Sequence, residues 1–136
     1  MFVLDTNVVS ELRRPGKADP KVVAWASATP LAHIFLSVIT ILEIELGAML
    51  IERKDKLQAK HLRAWIDDQV MPRFAGRILA VDTAVAQRCA RLHVPDPRAE
   101  RDTLIAATAL VHGMKVVTRN VADFTPSGVQ VLNPWE

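Results

Sequence analysis

The chain has 136 residues, half of them hydrophobic and 24% charged, with 17 Lys and Arg against 15 Asp and Glu, a formal net charge of +2. This size and apolar content exclude a disordered chain and suit one domain with its own core, and the lack of internal repeats excludes a solenoid. One cysteine, Cys89, excludes an internal disulfide and agrees with a reducing compartment.

The first element is the apolar run Phe2-Val3-Leu4, which stops at Asp5-Thr6-Asn7. An apolar run bounded by turn-forming residues reads as a buried strand. Val8 to Leu12 then reads as a short helix broken by Arg13-Arg14-Pro15-Gly16. Asp19-Pro20 starts a second helix, with Asp as cap and Pro in the first helical position, carrying Val22, Val23, Trp25 and Ala26 until Pro30. His33 to Ser37 is a second strand. Thr40 to about Arg53 suits a mostly buried helix, and Asp55 to Val70 a more amphipathic one with Leu57, Leu62, Trp65, Ile66 and Val70 on its apolar side. Arg77 to Val81 is a third strand, after which Asp82 caps a helix to about Leu92. Val94-Pro95-Asp96-Pro97 is a loop, and Asp102 to His112 a helix closed by Gly113. Lys115 to Thr118 and Val129 to Leu132 are the last two strands. Strands alternating with helices, with no linker between them, predict a single α/β domain over residues 1–136: a mainly parallel sheet flanked by helices.

The longest apolar stretches are stopped by Glu43 and by His112, well short of the roughly 20 residues that span a bilayer. No basic segment precedes an apolar one ahead of Asp5, so no signal peptide is expected. A soluble, cytoplasmic protein follows as the expectation.

In parallel α/β folds, ligands bind outside the carboxyl ends of the strands. Four acids fall there: Asp5 ends the first strand, Glu43 lies early in the helix after the second, Asp102 opens the helix before the fourth, and Asp123 lies just beyond the fourth. Carboxylates crowded into one crevice repel unless a cation sits between them. Oxygen ligands suit a hard divalent ion, Mg²⁺ or Mn²⁺, rather than zinc. The chemistry this suggests is metal-dependent phosphodiester hydrolysis. Taken singly, each acid has another reading: Asp5 as the start of a turn, Glu43 as partner of Thr40 in a capping box, Asp102 as an N-cap, and Asp123 as a loop cap. Convergence is what favours a site.

At these positions the chain resembles a PIN domain, in particular a VapC-type toxin ribonuclease. The matching pieces are Leu4-Asp5-Thr6-Asn7, Ser37 to Glu43 with Gly47, Arg101 to Ala109, and Val117 to Phe124. The ending Val131-Leu132-Asn133-Pro134-Trp135 is similar to the FitB-like branch. The resemblance implies the toxin of a type II toxin–antitoxin pair: an RNA endonuclease held inactive by a small cognate antitoxin, and commonly a homodimer. It makes Asp5 and Asp102 the main Mg²⁺ ligands, with Glu43 and Asp123 completing the acidic site. Thr6, Asn7, Thr118 and Asn120 would hydrogen-bond these carboxylates or their waters. Val8-Val9 with Trp25, or the helix from Asp55 to Val70, would supply the dimer surface. The antitoxin would cover an apolar groove and push an Arg or Lys toward the acids.

The remaining features are plainer. The four histidines show no metal spacing, Cys89 reads as core, and no Gly-rich phosphate loop is present. A phosphotransfer site built on Asp5 would want a second Asp where Asn7 stands. Arg13, Arg14 and Lys17 form one basic turn and Arg98 with Arg101 another, either of which suits an RNA backbone or an ordinary solvated face. With the four site acids set aside, 17 bases face 11 acids, so a negative crevice would lie on a body of charge +6.

Overall fold

Three short apolar strands take the middle of the sheet, as their composition requires, because a parallel strand covered on both faces has no solvated side. A computed structural model describes all 136 residues. Strand β1 is Phe2–Leu4, β2 is Ile34–Ser37, β3 is Ile78–Leu79, β4 is Lys115–Val117 and β5 is Val131–Leu132. They pair in the order β3-β2-β1-β4-β5, all parallel. The central strand aligns Leu4 with Leu36 on one side and with Val117 on the other.

Side-chain alternation along the strands divides the core in two. Leu4, Leu36 and Val117 enter one cluster with Val8, Val22, Ile44, Ile66 and Phe74, whereas Val3 and Val116 enter the other with Ile105, Ala106 and Phe124. The helices that cover these faces are α1 (Thr6–Glu11), α2 (Pro20–Ala28), α3 (Val38–Glu52), α4 (Lys56–Trp65), α5 (Met71–Arg73), α6 (Thr83–Leu92), α7 (Glu100–His112) and α8 (Val121–Phe124). None is long and apolar enough to cross a membrane.

Most helix starts follow from short polar side chains. Asp19, Asp55 and Asp82 each accept a backbone N–H of the first turn of α2, α4 and α6. Helix α3 differs from the sequence expectation: Ser37 Oγ accepts the Ile39 N–H at 3.0 Å, so the helix begins at Val38 and Thr40 lies inside it, fully buried. Helix α7 likewise begins at Glu100, and Asp102 is its third residue rather than its cap.

The expected helix from Asp55 to Val70 also differs. It is α-helical only to Trp65, then widens into a π turn over Ile66–Val70 in which the Met71 N–H reaches back to the Ile66 carbonyl. Pro72 explains the widening, since it has no N–H to offer the preceding turn. Leu57 is 68% exposed and so is not on the apolar face. Strands β3 and β5 are two residues each, shorter than expected, because an edge strand has a neighbour on one side only. His33 falls in a 3₁₀ turn with Leu31 and Ala32 rather than in β2.

Val8 and Val9 are core residues, and Trp25 packs edge-on to Phe2 with ring centroids 5.3 Å apart. That region is therefore not the free dimer surface expected of it. Helix α3 carries four exposed apolar residues instead, Val38, Leu42, Met49 and Leu50. Cys89 is buried beside Val85 and Ala107, and burial pushes its thiol pKa up, with the charge of Glu100 adding to the effect. It is core, as its helix position predicts.

Gly113 ends α7 in the left-handed conformation, φ 67°. A Cβ there meets no atom within 4 Å, so the position asks for glycine on conformational grounds alone. Gly113→Ala is expected to lower stability by about 1 kcal/mol, and Gly113→Asn by less. Thermal unfolding followed by circular dichroism checks this; equal losses for the two variants would contradict it.

Candidate active site

Asp5 stands where β1 becomes α1. Its N–H stays in the sheet, donating to the Val117 carbonyl at 2.9 Å, while its carboxylate caps the helix by accepting the Thr6 N–H at 2.8 Å. The other oxygen accepts from the Thr118 hydroxyl at 2.8 Å and from the Asn7 amide at 3.3 Å. The Thr118 hydroxyl in turn accepts from the Asn120 N–H at 3.0 Å. Asp5 is thus pinned by residues from two adjacent strand ends and is only 5% exposed. Burial raises its pKa; the hydrogen bonds from Thr118 and Thr6 pull the other way, and the charges of Glu43 and Asp123 push it up again.

Glu43 lies in the second turn of α3 and reaches across to α1, where its Oε1 accepts the Thr6 hydroxyl at 2.6 Å. A capping box with Thr40 is ruled out, because Ser37 is the cap. Glu43 Oε2 lies 3.8 Å from Nη1 of Arg101. Asp102 projects from the first turn of α7, and no hydrogen bond holds its carboxyl group down. Its pKa is pushed up to about 6, first by burial and then by the charges of Asp5, Asp123 and Glu43. Asp123 lies on α8, exposed, one residue before the fully buried Phe124. Asp5 and Asp102 therefore feel the charges of the acids around them, and the fold brings all four to one edge of the sheet.

Of the polar residues singled out from sequence, Thr6, Asn7 and Thr118 hydrogen-bond a site carboxylate directly. Asn120 acts through its backbone, on Thr118. Two residues make contacts that the sequence does not show. Thr40 lies buried with its hydroxyl 3.4 Å from that of Thr6, and Arg101 makes the ion pair with Glu43. Thr40 has a sequence signal, its spacing to Glu43, which points to a different role. Arg101 stands out in the sequence as a basic residue beside Asp102, but its pairing with Glu43 depends on how α7 lies against α3.

The donor set is oxygen only. No three His, Cys, Asp or Glu groups are placed so as to hold a metal ion together. An open set of carboxylates fits an ion that retains several waters and takes one or two protein ligands, which is the habit of Mg²⁺. Burial raises the Asp102 pKa most, and the repulsion from Asp5, Asp123 and Glu43 that adds to it is what a cation among these oxygens would relieve.

Comparison with known proteins identifies the family. The PIN domain family profile matches residues 2–124. Toxin FitB of Neisseria gonorrhoeae is 39% identical over 141 residues, spanning 99% of both chains. VapC ribonuclease Y4jK of Sinorhizobium fredii is 34% identical over 141 residues, spanning 100% of this chain and 99% of that one. The crystal structure of FitAcB from Neisseria gonorrhoeae superposes with a TM-score of 0.91 at 37% identity, covering 100% of this chain and 99% of the other. The chain belongs to the PIN domain family, among its VapC-type toxins.

Proposed function

We propose that the chain is the toxin of a type II toxin–antitoxin pair and hydrolyses RNA phosphodiester bonds as a Mg²⁺-dependent endoribonuclease, with Mn²⁺ as a substitute. The observation that carries this reading is the gathering of Asp5, Glu43, Asp102 and Asp123 at the carboxyl edge of the sheet, where burial first and then the charges of the other three acids raise the Asp102 pKa to about 6. Relatives named as a toxin and as a ribonuclease support it.

The roles follow from how each acid is held. Asp5, fixed by three hydrogen bonds, and Asp102, engaged by none, would hold the ion between a rigid and an adaptable ligand. When bound, the ion would supply positive charge for the phosphodiester and a water of lowered pKa. Glu43, steered by Thr6, and Asp123 are the acceptors available to orient an attacking water and take its proton. Thr118 and Asn7 keep Asp5 oriented.

A mainly apolar cavity of about 130 Å³ lies away from the four acids, lined by Leu4, Leu12, Trp65, Val70 and Phe74 among others. It is the groove in which a cognate antitoxin would dock. The exposed apolar face of α3 supports a homodimer, and a cytoplasmic location would put the site with its RNA.

Purified protein is expected to cleave single-stranded RNA in Mg²⁺ or Mn²⁺, to stop in EDTA, and to recover when the ion is restored, as read on denaturing gels. Cleavage that persists in EDTA would sink the metal-dependent mechanism. RNA binding without cleavage under every metal condition would leave a binding module in its place.

A further inference from the structure

The four site acids make a single ion pair with the rest of the chain, that between Glu43 and Arg101. It is a loose one. The guanidinium is half exposed, the carboxylate a quarter exposed, and the nearest approach is 3.8 Å, too long for a hydrogen bond. The other arginines near this edge are already engaged. Arg119 lies over the Trp135 ring, 5.4 Å from its centroid, and Arg98 donates to the Leu92 carbonyl at 3.2 Å. Arg101, next in sequence to Asp102, keeps all five guanidinium donors free of hydrogen bonds and is the one arginine that approaches a site acid.

We propose that Arg101 is a substrate-binding residue, which exchanges its loose contact with Glu43 for a bidentate contact to a backbone phosphate of the bound RNA strand. The proposal rests on the nuclease reading above and adds a substrate contact that the acids cannot make. A guanidinium matches two phosphate oxygens at once, whereas at 3.8 Å from Glu43 it makes no hydrogen bond there. The exchange also does two things together: it offsets repulsion between a polyanion and four carboxylates, and it releases Glu43 Oε2 toward the attacking water. A lysine at this position would keep the charge but lose the fork.

The test uses fluorescence anisotropy with a labelled single-stranded RNA, in EDTA, on the full chain carrying Asp5→Asn so that nothing is cut. Adding Arg101→Ala is expected to weaken binding about tenfold in low salt. The slope of log affinity against log salt should become shallower by about 0.7, the loss of one phosphate contact on a single strand. Arg101→Lys should keep the slope and recover only part of the affinity. In cleavage assays with Asp5 intact, the loss from Arg101→Ala should fall on KM more than on kcat. An unchanged salt slope, or a faster reaction in Arg101→Ala, overturns the proposal; the latter would make Arg101 a brake on Glu43. If the intact protein cleaves RNA while both KM and slope survive the substitution, this inference fails and the nuclease reading stands. If the intact protein neither cleaves nor binds RNA, both fall.

Discussion

Replacing Asp5 by Asn is expected to lower RNA cleavage by about 10³-fold or more, a loss of roughly 4 kcal/mol in transition-state stabilisation, in a protein that remains folded. The side chains are the same size, so no cavity forms. The Asn carbonyl can still accept the Thr6 N–H. The new amide then faces the Thr118 hydroxyl, which already accepts from Asn120 and Asn7, and the Asn7 amide, so both of those contacts are weakened. Against that loss stands the removal of a buried charge whose pKa is already raised by burial and by Glu43 and Asp123. Structure survives, but the negative oxygen that anchors the ion does not. Initial rates on a single RNA in Mg²⁺, with thermal melts alongside, check both halves. An Asp5→Asn protein within tenfold of the parent rate would remove Asp5 from the chemistry.

Asp102→Asn carries the second large effect, and on stability its sign is opposite to that of most substitutions. In EDTA the folded chain holds this carboxyl at a pKa of about 6, against 3.8 for the free group. Between pH 4 and pH 6 the folded state therefore binds more protons than the unfolded one. The contribution of this one group to stability is therefore greatest below pH 4, falls as pH rises through 6, and stays reduced at neutrality. Taken at face value the shift is worth about 3 kcal/mol; because the group is partly solvated, about 1–2 kcal/mol is the screened figure. Asp102→Asn should then raise the Tm of metal-free protein at pH 7 by roughly 3–6 °C and flatten its pH dependence between 4 and 7. Mg²⁺ should stabilise the parent at pH 7 and leave the variant almost unmoved. The same substitution should abolish cleavage, so activity and stability part company at this residue. A parent Tm independent of pH over that range, matched by the variant, would contradict the charge argument.

What could be read in the sequence was set by how local its cause is. Strands β1, β2 and β4 show as apolar runs ending in polar junctions, because both of their faces are covered. Strands β3 and β5 are overextended in that reading, since residues such as Val81 and Val129 look alike whether or not a neighbour pairs with them. The caps at Asp19 and Asp82 are legible because a cap acts within four residues. Ser37 was missed for an instructive reason: Thr40 and Glu43 have capping-box spacing, yet Glu43 is drawn across to Thr6 on another helix. The π turn had its cause in plain view at Pro72, but a helix widens only where tertiary packing keeps it from ending.

The acids behave in the same way. Each alone suits a turn or a cap, and Asp5 in fact is both a cap and a site residue. Topology made them a group, because right-handed crossovers return every junction to one edge. The strength of their coupling, and the approach of Arg101 to Glu43, depend on side-chain placement that no spacing rule contains.

The position of β1 bears on how the protein is made. The first strand synthesised is the middle strand of the sheet, and its partners on one side are residues 115–117. Asp5 and the Thr118 hydroxyl that orients it are separated by 113 residues. At about 5–20 residues per second on the ribosome, Asp5 waits roughly 6–20 s for that partner to be translated. Until then β1 lacks one neighbour, Asp102 and Asp123 do not exist or have no strand to lean on, and no catalytic crevice can form. The order of synthesis therefore delays the gathering of the four acids until the strand that follows Asp102 has been made.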